Sequence, residues 1–78
     1  MRPAITGLVL TYNGERLLDR CLASLSFCDK VLVVDSFSTD RTVDMARAAG
    51  AEVVQRTWEG PGPQFRHALS LIDTEWVF

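Results

Sequence analysis

Apolar residues fall into two alternating rhythms along this chain, and the alternation predicts its architecture. Ala4 to Leu10 (AITGLVL) is nearly continuous in apolar character and rich in strand formers. Asn13 follows as a candidate helix N-cap. Leu17, Leu18, Cys21, Leu22 and Leu25 then recur at i, i+1, i+4, i+5 and i+8, one face of a helix, with Arg16, Asp19, Arg20 and Ser24 on its other side. Val31 to Val34 (VLVV) is a short unbroken run of the kind that parallel sheets bury on both faces. A polar loop from Asp35 to Asp40 supplies Ser and Thr to cap a second helix. That helix is expected to run to about Ala49, with Val43, Ala46 and Ala49 inward and Gly50 at the C′ position.

The second half repeats the rhythm less cleanly. Glu52 to Val54 reads as a third strand. Gln55 to Pro63 contains Gly60-Pro61-Gly62-Pro63, read as a turn-rich loop. Phe65, Ala68, Leu69 and Ile72 mark a third helix, and Glu75 to Phe78 begins a fourth strand. A helix in every gap between strands gives βαβαβαβ. This predicts an α/β, Rossmann-like domain with a parallel sheet and right-handed crossovers.

Composition narrows the function classes. The chain has 78 residues, 47% hydrophobic and 23% charged, which suits a single small globular domain over 1–78. A formal net charge of −2 argues against a nucleic-acid partner. No apolar stretch is long enough for a membrane-spanning helix. Met1-Arg2-Pro3 leads straight into a strand without an apolar leader, so a cytoplasmic location is expected. Cys21 and Cys28 lack any metal-ligand spacing and read as reduced packing residues.

Ligands of open parallel sheets bind outside the carboxyl ends of the strands. Those ends carry Thr11-Tyr12-Asn13-Gly14-Glu15, Asp35-Ser36-Phe37-Ser38-Thr39-Asp40 and Arg56-Thr57-Trp58-Glu59-Gly60. No GxGxxG or GxxxxGK[ST] is present, so dinucleotide and P-loop sites are not expected. Asp35, at the switch between the first two strands, either accepts from a ring N–H or ribose hydroxyls or closes an Asx-turn. Asp40 suits a helix N-terminus. Asn13 is a cap first and a ligand contact second, and Glu15 lies in a first helical turn. Arg66 either reaches a pyrophosphate or is a solvated charge. Trp58 and Phe65 either form an aromatic wall or pack. His67 is a lone helical histidine.

The run LVLTYNGERLLDRCLASLSFCDKVLVVDSFSTDRTVDMARAAGAEVVQRTWEGPGPQ resembles the nucleotide-binding N-terminal part of inverting family 2 glycosyltransferases, which have the GT-A fold. VVDSFSTDRT followed by the WEGPG loop is its most specific portion, and the likeness is greatest to β-1,4-glucosyltransferases of lipopolysaccharide-core synthesis. The resemblance implies transfer of a hexose, with glucose expected, from a UDP-sugar to a glycan or lipid-linked acceptor at the inner face of the membrane. It implies that Thr11, Asn13 and Glu15 line the nucleotide pocket and that Asp35 recognises uracil or ribose. Gln64 and Arg66 would face the diphosphate.

In the family a Lys or Arg usually follows Gln64 directly; here Phe65 intervenes and Arg66 is turned by about 100° around the helix. Phe37 stands where glycine is common. Mn²⁺ or Mg²⁺ is implied for the family enzyme, with ligands beyond Phe78. The 78-residue chain is therefore expected to be a shortened domain that binds nucleotide without transferring sugar. The alternative is a standalone module that binds nucleotide or self-associates through an open sheet edge or apolar face.

Overall fold

The computed structural model describes residues 4–78. Its elements are β1 (Ile5–Thr11), α1 (Glu15–Ser24), β2 (Lys30–Asp35), α2 (Thr42–Ala48), β3 (Glu52–Gln55), α3 (Pro61–Ser70) and β4 (Trp76–Val77). All strand pairs are parallel and the sheet order is β3-β2-β1-β4. The expected α/β class and βαβαβαβ order are therefore observed. The chain steps outward from β1 to β3 and then returns to the far side of β1. With right-handed crossovers throughout, that reversal sends α3 to the opposite face from α1 and α2. The topological switch thus lies between β1 and β4, not between the first two strands as expected.

Side-chain alternation divides the core accordingly. Leu18, Val33 and Ala46 are buried on one face, with Val9, Leu22, Val31, Met45 and Val53 packed around them. Leu32, Val34 and Ala68 are buried on the other, with Leu8, Val54 and Ile72. β2 runs through both clusters, which is why VLVV is apolar at every position. Gly7 faces α1, and a Cβ there would stand 3.1 Å from Cys28 Sγ and 3.1 Å from Leu25 Cδ1. Glycine is what lets the end of α1 settle on β1. Cys21 and Cys28 are both half-buried.

Four local expectations are corrected. Leu17 is 66% exposed, because the helix turns about 100° per residue and Leu18 takes the inward direction. Ala49 is exposed at the end of α2, and Met45 packs inward instead. Phe65 is not an inward residue of α3; Gln64 and Ala68 are. Finally, α3 begins at Pro61, inside the supposed loop. The first turn of a helix has no intrahelical use for its N–H groups, so Pro61 and Pro63 are tolerated there. Gly60, at φ 103°, supplies the entry that other residues resist. Gly50, at φ 86°, follows α2 at the expected C′ position.

Candidate functional site

Register places Thr11 beside Asp35 and Asp35 beside Gln55, a row at the carboxyl ends of β1, β2 and β3. Asp35 is fully buried and its carboxylate collects donors from every side. Oδ1 accepts from Thr11 Oγ1 at 2.7 Å and from the Ser38 hydroxyl. Oδ2 accepts the Ser38 N–H at 2.8 Å and Gln55 Nε2 at 3.3 Å. Burial alone would raise the carboxyl pKa. The hydrogen bonds from Ser38, Thr11 and Gln55 outweigh it and hold the group below the usual carboxylate range. Asp35 therefore organises Thr11, Ser38 and Gln55 around a centre that is ionised at neutral pH.

The loops after β1 and β2 are stapled together one residue at a time. The Asn13 N–H donates to Ser38 Oγ at 2.8 Å, Gly14 to Thr42 Oγ1 at 2.9 Å, and Glu15 to Asp40 Oδ2 at 3.2 Å. Glu15 returns the contact by accepting the Arg41 N–H at 3.2 Å. Asn13 does not cap α1, as had been expected. Gly14 is the N-cap, while Asn13, at φ 48°, turns its Oδ1 to the Thr39 N–H at 2.8 Å. Asp40 sits below the usual carboxylate range, chiefly through the Thr42 hydroxyl; desolvation opposes the shift, and the Thr42 and Glu15 amides add to it. The leading amides of α1 are consumed by this brace. A phosphate bound on that helix terminus would have to break it.

Phe37 also adopts the left-handed region, at φ 58°, with 53% of its surface exposed. That conformation costs a non-glycine residue about 1–2 kcal/mol. Glycine there forfeits about 0.5–1 kcal/mol through its freer unfolded chain. Phe37→Gly is thus expected to raise stability by about 0.5–1 kcal/mol, read as a higher thermal midpoint; a lower midpoint would show that Phe37 packs to advantage.

Ser36 follows Asp35 and, by strand alternation, faces the α3 side. There Leu10, Thr11, Tyr12, Ser36 and Trp58 line a depression of about 410 Å³. Tyr12 is 65% exposed and Trp58 51%, so both offer ring surface to a ligand. Gln64 is fully buried behind them and donates from Nε2 to Ser36 Oγ at 3.2 Å. Arg56 donates from Nη1 to Gln64 Oε1 at 3.5 Å, and its Nη2 pairs with Glu59 at 3.1 Å.

The structure thus gathers Thr11, Asn13, Glu15 and Asp35 into one network and sets Gln64 on the opposite side of the sheet. Arg66 stands apart, exposed on α3, with its guanidinium over Gly62. Sequence reasoning gave no role to Ser36 or Arg56. Their signal was position alone: each follows a strand directly, on the side of the sheet that alternation assigns to α3. Among the described residues no group of His, Cys, Asp and Glu converges to hold a metal ion, and no helix is long and apolar enough to cross a membrane.

Comparison with known proteins agrees with this geometry. Glycosyl transferase family 2 matches residues 8–78. An uncharacterised glycosyltransferase of Rickettsia conorii is 39% identical over 74 residues, covering 94% of this chain and 26% of the relative. A lipopolysaccharide core biosynthesis glycosyltransferase of Rhizobium meliloti is 29% identical over 79 residues, 95% of this chain and 29% of that protein. The chain therefore spans between a quarter and a third of these relatives. Among solved structures, glucosyl-3-phosphoglycerate synthase of Mycobacterium tuberculosis, in complex with Mn²⁺, UDP-glucose and glycerol 3-phosphate, superposes with a TM-score of 0.82 at 26% identity. That match covers 96% of this chain and 32% of the synthase. The architecture is the Rossmann-like parallel α/β arrangement of GT-A folds, and the chain belongs to glycosyl transferase family 2.

Proposed function

We propose that this chain is the nucleotide-recognising portion of an inverting glycosyltransferase that moves a hexose, with glucose expected, from a UDP-sugar to a glycan or lipid-linked acceptor. The observation that carries the reading is the concave site between Tyr12 and Trp58, at the carboxyl ends of the strands of a family 2 sheet. Aromatic faces suit a planar base, and the Ser36 hydroxyl supplies a polar contact at the floor. Relatives in the solved structures hold UDP and UDP-glucose, which supports the choice of nucleotide.

In this reading the Asp35 network fixes the β1 and β2 ends, so that Thr11 and Tyr12 stand at a set distance from Ser36. The brace through Asn13, Glu15, Asp40 and Thr42 keeps that distance when ligand enters. Gln64 supports the floor from α3, and Arg66, exposed over Gly62 on the same helix, would have to swing inward to meet the diphosphate. The Mn²⁺ of the solved relatives finds no ligand set among the described residues, so no step is assigned to a metal here.

Titrating UDP into the ¹⁵N-labelled chain tests the proposal. Amide shifts are expected at Thr11, Tyr12 and Ser36 and at the Trp58 indole, with the same response in the presence and absence of Mn²⁺. No response at these groups at millimolar UDP would overturn the reading.

A further inference from the structure

β4 forms one edge of the sheet, outside β1. The N–H groups of Trp76 and Phe78 donate to Ala4 O at 3.2 Å and Thr6 O at 2.9 Å, and Phe78 O accepts the Leu8 N–H at 3.0 Å. Backbone groups alternate sides along a strand, so Val77 turns its N–H and C=O to the open side. Side chains alternate as well. Trp76 stands beside Ile5 and Val77 beside Thr6, which puts Trp76 and Phe78 on the α1 face and Val77 on the α3 face. Phe78 accordingly meets Phe27 edge to face, with ring centres 5.0 Å apart. Val77 borders Leu8, Leu10 and Phe65 in a depression of about 360 Å³.

We propose that two copies of this chain pair antiparallel along β4, about a two-fold axis at Val77, and so join two four-stranded sheets into one. Opposed to itself, Val77 exchanges both of its outward hydrogen bonds with its counterpart. The same register sets Trp76 of each copy directly across from Phe78 of the other. One short strand thus places aromatic on aromatic twice, the self-complementarity that a two-fold interface requires.

The available surface suits a second copy. Phe27, Phe65, Trp76 and Phe78 are between 45% and 70% exposed. At about 150–250 Å² per aromatic side chain, that leaves on the order of 400 Å² of ring surface on each copy. With Leu10 and Val77 added, two copies together reach about 1,000 Å², the threshold of a specific though weak interface. The opposite edge, β3, is less suited: exposed Glu52 and Gln55 close it at either end, and charge at an edge discourages pairing. The inference is independent of the nucleotide reading.

Sedimentation equilibrium of the 78-residue chain over a concentration series tests it, with Val77 amide hydrogen exchange as the local readout. Mass is expected to rise from one copy to two and stop there, while Val77 exchange slows about tenfold. Val77→Pro removes the outward N–H without touching the bonds to β1, at an edge position where proline is tolerated, and should stay monomeric. Trp76→Glu should weaken the dimer about tenfold. Adding Phe78→Lys sets opposite charges across the axis, so the double variant should pair about tenfold more tightly than either single one.

A chain that is monomeric at every concentration overturns the proposal. So does a dimer that persists in Val77→Pro, or a mass that grows beyond two copies. Should Val77→Pro unfold, the exposed Trp76 and Phe78 carry the same decision. Equal dissociation of the double and single variants would then overturn the register, and the interface with it.

Discussion

Asp35→Ala is expected to lower the unfolding free energy by about 3 kcal/mol, the loss typical of emptying a buried charged acceptor. In a domain of this size that shifts the thermal midpoint by roughly 12–24 °C. The cause is what the substitution strands: the Thr11 hydroxyl, the Ser38 N–H and hydroxyl, and the Gln55 amide all donate to this carboxylate. Among the described residues every buried side-chain polar atom has a partner, so the unaltered chain carries no such debt. Asp35→Asn keeps the shape but points an NH₂ at one of those donors, so it should fall between the two. Urea unfolding of the three proteins gives the order. A loss below about 1 kcal/mol for alanine would show that the network carries little structural weight.

The same network predicts how stability responds to acid. The folded pKa of Asp35 is depressed, and so is that of Asp40. The unfolded chain therefore binds more protons in acid, starting near the ordinary Asp value of about 3.9. The contribution is complete above that pH and is lost as pH falls through the folded values. Stability should be flat from neutral pH to about 5 on this account and decline below about 4. Asp35→Ala should flatten part of that decline. An identical acid profile in the variant would assign the decline to other carboxylates.

Gly7→Val should cost about 2–3 kcal/mol, near the upper end of overpacking effects. Even a single added carbon meets Leu25 Cδ1 and Cys28 Sγ, each at 3.1 Å, and valine adds two methyl groups beyond it. Leu25→Ala removes the obstacle but leaves a cavity, at a cost of about 2–3 kcal/mol by itself. Because each change relieves the other, the double variant should be more stable than the sum of the two losses implies. Additive losses would mean that β1 moves away from α1 to accept valine, and that the close approach at Gly7 is not what limits this contact.

How much of this could be read in advance depends on the range of the interactions. VLVV and the Leu18–Leu22–Leu25 spacing announced a buried strand and an inward helix face because burial imposes those periods locally. Gly50 was legible because a helix end needs a left-handed residue whatever surrounds it. The start of α3 was missed because proline was read as a breaker, although in a first turn it is harmless. The VVDSFSTDRT motif pointed to the right family, but its spacing did not reveal that Ser38, Asp40 and Thr42 spend their side chains bracing the neighbouring loop.

The order of strands and helices, the α/β class and the family were all present in the linear chain, since each follows from periodicity or from a contiguous motif. Which groups meet at the carboxyl ends was not. Asp35 meets Thr11 across 24 positions of sequence, and Gln64 meets Ser36 across 28. Those meetings exist only once parallel pairing sets the register and the return to β4 places α3 on the other face. Adjacent residues of a strand point to opposite sides of its sheet. Folding therefore turned one Asp-Ser pair into two different things, a sealed ionic brace on one side and, on the other, a hydroxyl that accepts from Gln64 at the edge of an open depression.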